Sequence, residues 1–162
     1  MSSADHNLSQ VHEGQVPSAK DMRFGIVVSE WNTEVTRKLL DGAYNTLIKY
    51  EAKEKNIAVK WVPGSFELPL GAQLMAESNK FDAIICLGCV IQGETRHFDF
   101  ICSSVSQAIM NLGLEYNLPF IFGVLTPNNQ EQAQDRAGGK HGNKGDEAAL
   151  TAIKMVGLQQ TI

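Results

Sequence analysis

Short apolar runs alternate with longer stretches of helical period along most of the chain. The run FGIVVS, Phe24–Ser29, is compact and rich in β-branched residues, which predicts a strand. TEVTRKLLDGAYNTLIKY follows, with Val35, Leu39, Ala43 and Leu47 on one helical face. Asn32 stands where an N-cap belongs, and Lys49, Lys53 and Lys55 suit the negative end of the helix dipole. IAVKWV, Ile57–Val62, predicts a second strand, punctuated by Pro63-Gly64. SFELPLGAQLMAES then reads as a helix with Pro69 in or near its first turn, where a missing N–H is harmless. FDAIICLGCVI, Phe81 to Ile91, is apolar nearly throughout, as a strand covered on both faces should be. The next helix sets Phe98, Ile101, Val105, Ala108 or Ile109, and Leu112 on one stripe. LPFIFGVLT, Leu118–Thr126, predicts a fourth strand. Beyond Pro127, Asn128 with Glu131 has the spacing of a capping box. It opens a short helix, NQEQAQDRAG, which the glycines of AGGKHGNKG interrupt. A last helix, about Asp146 to Leu158, packs Ala149, Ile153 and Val156.

Strands and helices in strict alternation, with near-continuous apolar strands, predict a parallel sheet with helices on both faces. The fold class is therefore α/β, a three-layer α/β/α sandwich with a four-stranded parallel, flavodoxin-like sheet. In such sheets ligands bind outside the carboxyl ends of the strands. That rule gathers the unusual residues: SEWN (29–32), PGSFE (63–67), GCVIQGETRH (88–97) and FGVLTP (122–127) each follow a strand and share one rim.

Bulk properties narrow the setting. A chain of 162 residues with 43% hydrophobic and 20% charged residues suits one globular domain, taken as 22–162. Residues 1–21 lack aromatics, sustained periodicity and an apolar signal core, so they read as a flexible N-terminal tail. Ala83 to Ile91 is the longest apolar stretch, far short of the roughly 20 residues that span a bilayer. A net charge of −4 argues against nucleic acid as partner. Cys86 and Cys89 have CxxC spacing, but their odd separation along a strand sends them to opposite faces. We therefore expect buried free thiols in a reducing, cytoplasmic setting, with neither a disulfide nor a metal site.

The chemistry-bearing residues each admit a functional and a plain reading. In QGETRH the glycine permits close backbone approach, and the N–H groups opening the next helix attract an anion. Thr95 either donates to that anion or caps the helix. His97 has the imidazole that acid–base work requires, or is merely solvated. Arg136 and Lys144 either complete a phosphate site or lie in solvent. Glu67 either binds sugar hydroxyls or favours a helix N-terminus, and Trp31 and Phe122 either stack on a planar ring or fill the core. GxGxxG and GxxxxGK[ST] are both absent, which weakens nucleotide-cofactor readings.

Three motifs, WVPGSFELPLGAQ, LGCVIQGETRHFDFIC and FGVLTPNNQEQAQDRAGGKHGNKG, together resemble the lumazine synthases. The resemblance runs from about Phe24 into the C-terminal helix. It implies condensation of 5-amino-6-(D-ribitylamino)uracil with 3,4-dihydroxy-2-butanone 4-phosphate to 6,7-dimethyl-8-ribityllumazine, the penultimate step of riboflavin biosynthesis. No metal and no redox cofactor is implied. His97 would transfer protons, Glu94 and Thr95 would hold the butanone phosphate, and Arg136 would clamp it. Trp31 would stack on the pyrimidine, Ser65, Phe66 and Glu67 would take the ribityl chain and ring, and Cys89, Val90 and Ile91 would line the heterocycle. Phe122 would close the pocket, with Asn32 and Lys144 as further contacts.

The resemblance also implies a homopentamer whose pockets lie between subunits, Phe122 and Arg136 coming from the adjacent chain. The compact GGKHGNKG turn favours an icosahedral shell of pentamers, with riboflavin synthase as possible cargo. The alternative is a non-catalytic flavin- or lumazine-binding protein, or a shell-forming one, of the same fold. Two features depart from the pattern. Gln92 stands where a basic or aliphatic residue is expected, and the tail is longer than usual.

Overall fold

The structure, a computed structural model, describes residues 16–162. Its elements in chain order are β1 (Phe24–Ser29), α1 (Thr33–Lys49), β2 (Ile57–Val62), α2 (Leu68–Ala76), β3 (Ala83–Cys89), α3 (His97–Tyr116), β4 (Phe120–Leu125), α4 (Gln130–Asp135), β5 (Ala137–Gly139), β6 (Gly142–Asn143) and α5 (Lys144–Gln159). The first four strands form one parallel sheet in the order β2-β1-β3-β4. The three-layer α/β/α expectation holds.

Alternation along the central strands creates two cores. Phe24, Ile26 and Val28 of β1, with Ala83, Ile85, Leu87 and Cys89 of β3, face α1 and α5. Val27, Ile84 and Cys86 turn the other way, onto α2 and α3. Cys86 and Cys89 thus fall on opposite faces, as their spacing predicts. Each fully buried Leu or Ile contributes about 1.5–3 kcal/mol, whereas an exposed ion pair adds at most about 1 kcal/mol. The sheet and its two apolar seams therefore dominate stability.

Several local expectations shift. Ser65–Glu67 forms a separate 3-10 turn before α2, and Pro69 sits in the first turn of that helix. The predicted capping box moves by one residue. Asn129 Oδ1 accepts from the Gln132 N–H at 2.9 Å, and Gln132 Oε1 accepts from the Asn128 N–H at 3.0 Å. The glycine-rich turn is a small hairpin, β5 and β6, in which Gly138 (φ 108°) and Gly142 (φ 73°) occupy conformations that disfavour a side chain. Helix α5 starts at Lys144 rather than Asp146, because Asn143 caps it by accepting from the Gly145 N–H at 2.8 Å. The expected tail lies mostly outside the described residues. Within 16–21, Ala19 is fully buried and its N–H donates to the Tyr50 carbonyl at 2.7 Å.

Helices α1 and α5 approach closely because glycines stand at their crossing. A methyl group on Gly145 would lie 1.9 Å from the Leu39 carbonyl oxygen, and one on Gly42 would lie 2.4 Å from Asp146 Oδ1. Asn143 Nδ2 donates to the Lys38 carbonyl at 2.8 Å across the same contact. Burial there pushes the Asp146 carboxyl up, while the Thr46 hydroxyl beside it pulls the other way. This crossing fixes where α5 starts, and with it Lys144 and the hairpin that follows Arg136. Since backbone cannot yield as a side chain can, Gly145→Ala should destabilise the fold by about 3 kcal/mol or more. A lowered urea midpoint would show this, and an unchanged midpoint would contradict the close crossing.

Candidate active site

The four rim stretches are tied to one another by hydrogen bonds that continue past the strands. The Glu30 and Trp31 N–H groups donate to the Val62 and Pro63 carbonyls at 2.8 and 3.1 Å, prolonging the β1–β2 ladder. Trp31 itself is 72% exposed. Asn32 stands at the N-cap position of α1, yet its side chain caps nothing; its backbone is left-handed, at φ 59° and ψ 44°. Its Nδ2 instead donates to the Cys89 carbonyl at 2.9 Å, joining the loop after β1 to the end of β3.

Below these loops lies a tight contact. A methyl group at Gly88 would fall 2.6 Å from Ser65 Oγ, 2.8 Å from Leu68 Cδ1 and 3.4 Å from Ser29 Oγ. Only a glycine in β3 lets the Ser65–Glu67 turn settle on the strand. Ser65 Oγ is buried there without a hydrogen-bond partner among the described residues. Such a hydroxyl costs free energy unless something else reaches it. Phe66, 57% exposed, and half-buried Glu67 extend from the same turn toward the rim.

The stretch after β3 carries the densest chemistry. The Val90 and Gln92 N–H groups donate to the Leu125 and Pro127 carbonyls at 2.8 and 3.0 Å, so Gln92 is held by its backbone while its side chain stays exposed. Residues Gln92 to His97 are all exposed. A side chain at Gly93 would meet nothing within 4 Å. Thr95 Oγ1 accepts from the His97 N–H at a long 3.4 Å, a weak cap that leaves the hydroxyl free to turn. His97 is the first residue of α3, a helix whose opening N–H groups favour an anion. Arg96 pairs with Asp99 at 3.6 Å and lies over the Phe100 ring.

Val90 and Ile91 are half-buried, but the Cys89 side chain is only 1% exposed and belongs to the core. What Cys89 can offer a ligand is its backbone. Burial pushes both the Cys86 and Cys89 thiols up to about 12, so neither supplies a thiolate at neutral pH. Among the described residues, no cluster of His, Cys, Asp and Glu could hold a metal ion.

The remaining candidates gather elsewhere. Phe122 (43% exposed), Arg136 and Lys144 line a groove of about 1020 Å³ along the free edge of β4, between α3 and α5. That groove includes none of Trp31, Ser65, Phe66, Glu67, Glu94, Thr95 or His97. Lys144 is already matched: its Nζ lies 2.5 Å from Glu147 Oε1, and both side chains are largely buried. Arg136 donates from one guanidinium nitrogen to the Gln132 carbonyl at 3.1 Å and has no carboxylate partner among the described residues. Its charge is thus the less compensated of the two. Sequence reasoning missed Glu147, since nothing marks a carboxylate as buried in advance. It also missed Gly88, although a glycine inside an apolar strand is a signal of close approach.

The chain as a whole is similar to a described family. The family model for 6,7-dimethyl-8-ribityllumazine synthase matches residues 21–160. A Cytophaga hutchinsonii protein of that name is 60% identical over 162 residues, covering 100% of both chains. One from Parabacteroides distasonis is 57% identical over 96% of this chain and 98% of its own. One from Porphyromonas gingivalis is 49% identical over 99% of each.

Two measurements check the site as described. Iodoacetamide at about pH 8 should alkylate Cys102 before Cys86 or Cys89, whose burial keeps them protonated; rapid labelling of either buried thiol would refute that burial. In the ligand-free protein, Ser65→Ala should leave the unfolding midpoint unchanged or raise stability by up to about 1 kcal/mol, because it removes an unpaired hydroxyl. A loss of more than about 1 kcal/mol would show that the hydroxyl has a partner after all.

Proposed function

The chain belongs to the 6,7-dimethyl-8-ribityllumazine synthase family, and on that premise we propose how its two groups of rim residues divide the family's reaction. The enzyme condenses 5-amino-6-(D-ribitylamino)uracil with 3,4-dihydroxy-2-butanone 4-phosphate, giving 6,7-dimethyl-8-ribityllumazine with release of phosphate and water. The observation that carries the site assignment is the cluster at the ends of β1, β2 and β3. It sets an exposed indole, a phenyl ring, a carboxylate and an imidazole on one rim.

Trp31 and Phe66 offer faces to the pyrimidine, and Glu67, with Ser65, takes ribityl hydroxyls. Backbone groups of Cys89, Val90 and Ile91 line the heterocycle. The 5-amino group attacks the ketone carbonyl, and water leaves as the imine forms. Loss of phosphate, closure by the ribitylamino nitrogen and a second dehydration complete the ring. Each step moves a proton, and His97, exposed at the start of α3, takes and returns it. Glu94 and Thr95, with the open N–H groups around Gly93, hold the phosphate end.

Arg136 and Phe122 stand in the β4 groove, away from that cluster. We read the pocket as completed by a neighbouring copy, whose groove brings Phe122 over the heterocycle and Arg136 onto the phosphate. Two features support this. An unpaired strand edge with apolar surroundings needs a cover, and Leu70 and Leu74 on α2 with Phe100, Met110 and Leu114 on α3 are exposed apolar residues. A head-to-tail contact whose rotation closes forms a ring, and one whose rotation does not close forms a filament. The homopentamer, its growth into an icosahedral shell and riboflavin synthase as cargo rest on the family likeness. So do one domain over 22–162 and a cytoplasmic setting.

With both substrates supplied, lumazine fluorescence should rise above the spontaneous rate, and no enzyme-dependent product would sink the assignment. Arg136→Ala should raise the KM for the butanone phosphate about 10- to 100-fold while the pyrimidine KM stays within about twofold. His97→Ala should lower kcat by about 100-fold. Mixing these two variants and reassembling them should restore about a quarter of the native sites if neighbouring chains share a pocket. No recovery would place His97 and Arg136 in the same chain's site.

A further inference from the structure

We propose that Asn32 is the positioning residue of the pyrimidine half-site: its left-handed backbone and the hydrogen bond its amide donates to the Cys89 carbonyl fix Trp31 where the heterocycle stacks. The inference rests on the stacking role proposed above for Trp31. The sequence suggests a helix cap or a substrate contact for Asn32; its side chain caps nothing, and its Nδ2 is engaged within the protein. At φ 59° and ψ 44° it occupies a region that asparagine tolerates better than other residues with a side chain. Its Nδ2 reaches the Cys89 carbonyl at 2.9 Å, across 57 residues of chain. That carbonyl ends the strand leading to His97. One amide thus joins the loop that bears the indole to the loop that bears the imidazole.

Helix α1 does not need this side chain in order to start. The Asn32 carbonyl accepts from the Val35 and Thr36 N–H groups at 2.9 and 3.1 Å. The Thr36 hydroxyl donates to the Ser29 carbonyl at 2.8 Å, and the Thr33 hydroxyl donates to the Glu30 carbonyl. The need lies instead at Trp31. An indole that is 72% exposed has little protein packed against it to select its position. Its backbone is held by the N–H bond to the Pro63 carbonyl at 3.1 Å and by a long 3.5 Å contact from the Ser29 hydroxyl to its own carbonyl. The left-handed turn at Asn32 then sends the chain into α1 at once, so the indole stays on the rim. Relaxing that turn would swing Trp31 away from Phe66 and Glu67 without removing any group that touches substrate.

Three variants separate the two contributions. Asn32→Gly keeps access to the left-handed region and removes the amide. Asn32→Asp keeps the shape but faces the Cys89 carbonyl with an acceptor. Asn32→Ala removes the amide and disfavours the backbone. All are made in a Trp61→Phe background, which leaves Trp31 as the one indole of two. Trp61 sits on edge strand β2 beneath the Arg37 guanidinium, 5.8 Å from its ring centroid. In the ligand-free protein, acrylamide quenching and the anisotropy decay report how firmly Trp31 is held. The variants should show a looser indole and a pyrimidine KM raised about tenfold, the loss of roughly one hydrogen bond, with kcat and the butanone phosphate KM within about twofold. An indole as firmly held in Asn32→Asp as in the native chain would overturn the clamp. A looser indole with an unchanged pyrimidine KM would leave the clamp standing but overturn the inference by removing the stacking role from Trp31. Equal rises in both KM values, with a lowered unfolding midpoint, would make Asn32 a structural residue only and would also overturn it.

Discussion

Every residue of β3 from Ala83 to Cys89 is buried, and its neighbours β1 and β4 hydrogen-bond to it on either side. Its side chains are committed alternately to the α1–α5 core and the α2–α3 core, and its backbone is committed to the ladders. A strand so placed has no freedom left for chemistry along its length. Polar function is displaced to the first residues beyond its carboxyl end, which is where Gln92 to His97 emerge into solvent. The same constraint acts on β1, whose six residues are all buried and whose continuation carries Trp31.

The constraint relaxes only at the sheet's edges. Strand β2 is half exposed, and β4 leaves one side unpaired beside a wide groove. The basic groups of that groove are handled differently from each other. Lys144 is anchored by Glu147, while Arg136 donates to a backbone carbonyl and has no carboxylate partner among the described residues. That edge presents an arginine, an exposed phenyl ring and apolar walls. On the reading proposed above, it is the half of the pocket that a neighbouring copy supplies.

Precision at the rim comes from small backbone accommodations rather than from many contacts. Gly88 lets the Ser65–Glu67 turn rest directly on β3. The left-handed Asn32 turns the chain after Trp31, and the main-chain bond from Gln92 to Pro127 runs the sheet ladder past its last strand residues. Each of these ties one functional loop to another. Exposed side chains such as Trp31 and His97 gain definition from the loops that carry them, because little protein packs around them.

The strands, the helix stripes and the layer order were legible in the residues, because burial on two faces imposes period-2 and period-3.6 patterns that survive without knowledge of the partners. Val35, Leu39, Ala43 and Leu47 face the core as their spacing requires, and Cys86 and Cys89 part to opposite faces for the same reason. The four rim stretches and the family motifs were legible too, since a parallel sheet leaves its polar residues at one end. Cap positions slipped by a residue at Asn129 and by two at Lys144, because short polar segments offer several donors and acceptors of similar quality. Two facts had no one-dimensional trace: the Asn32 amide crossing to Cys89, and the burial of Glu147 against Lys144. Sequence determines which faces are apolar through local periodicity. Only the tertiary structure decides which loops meet, because contacts between residues tens of positions apart depend on strand order and register that no local pattern encodes.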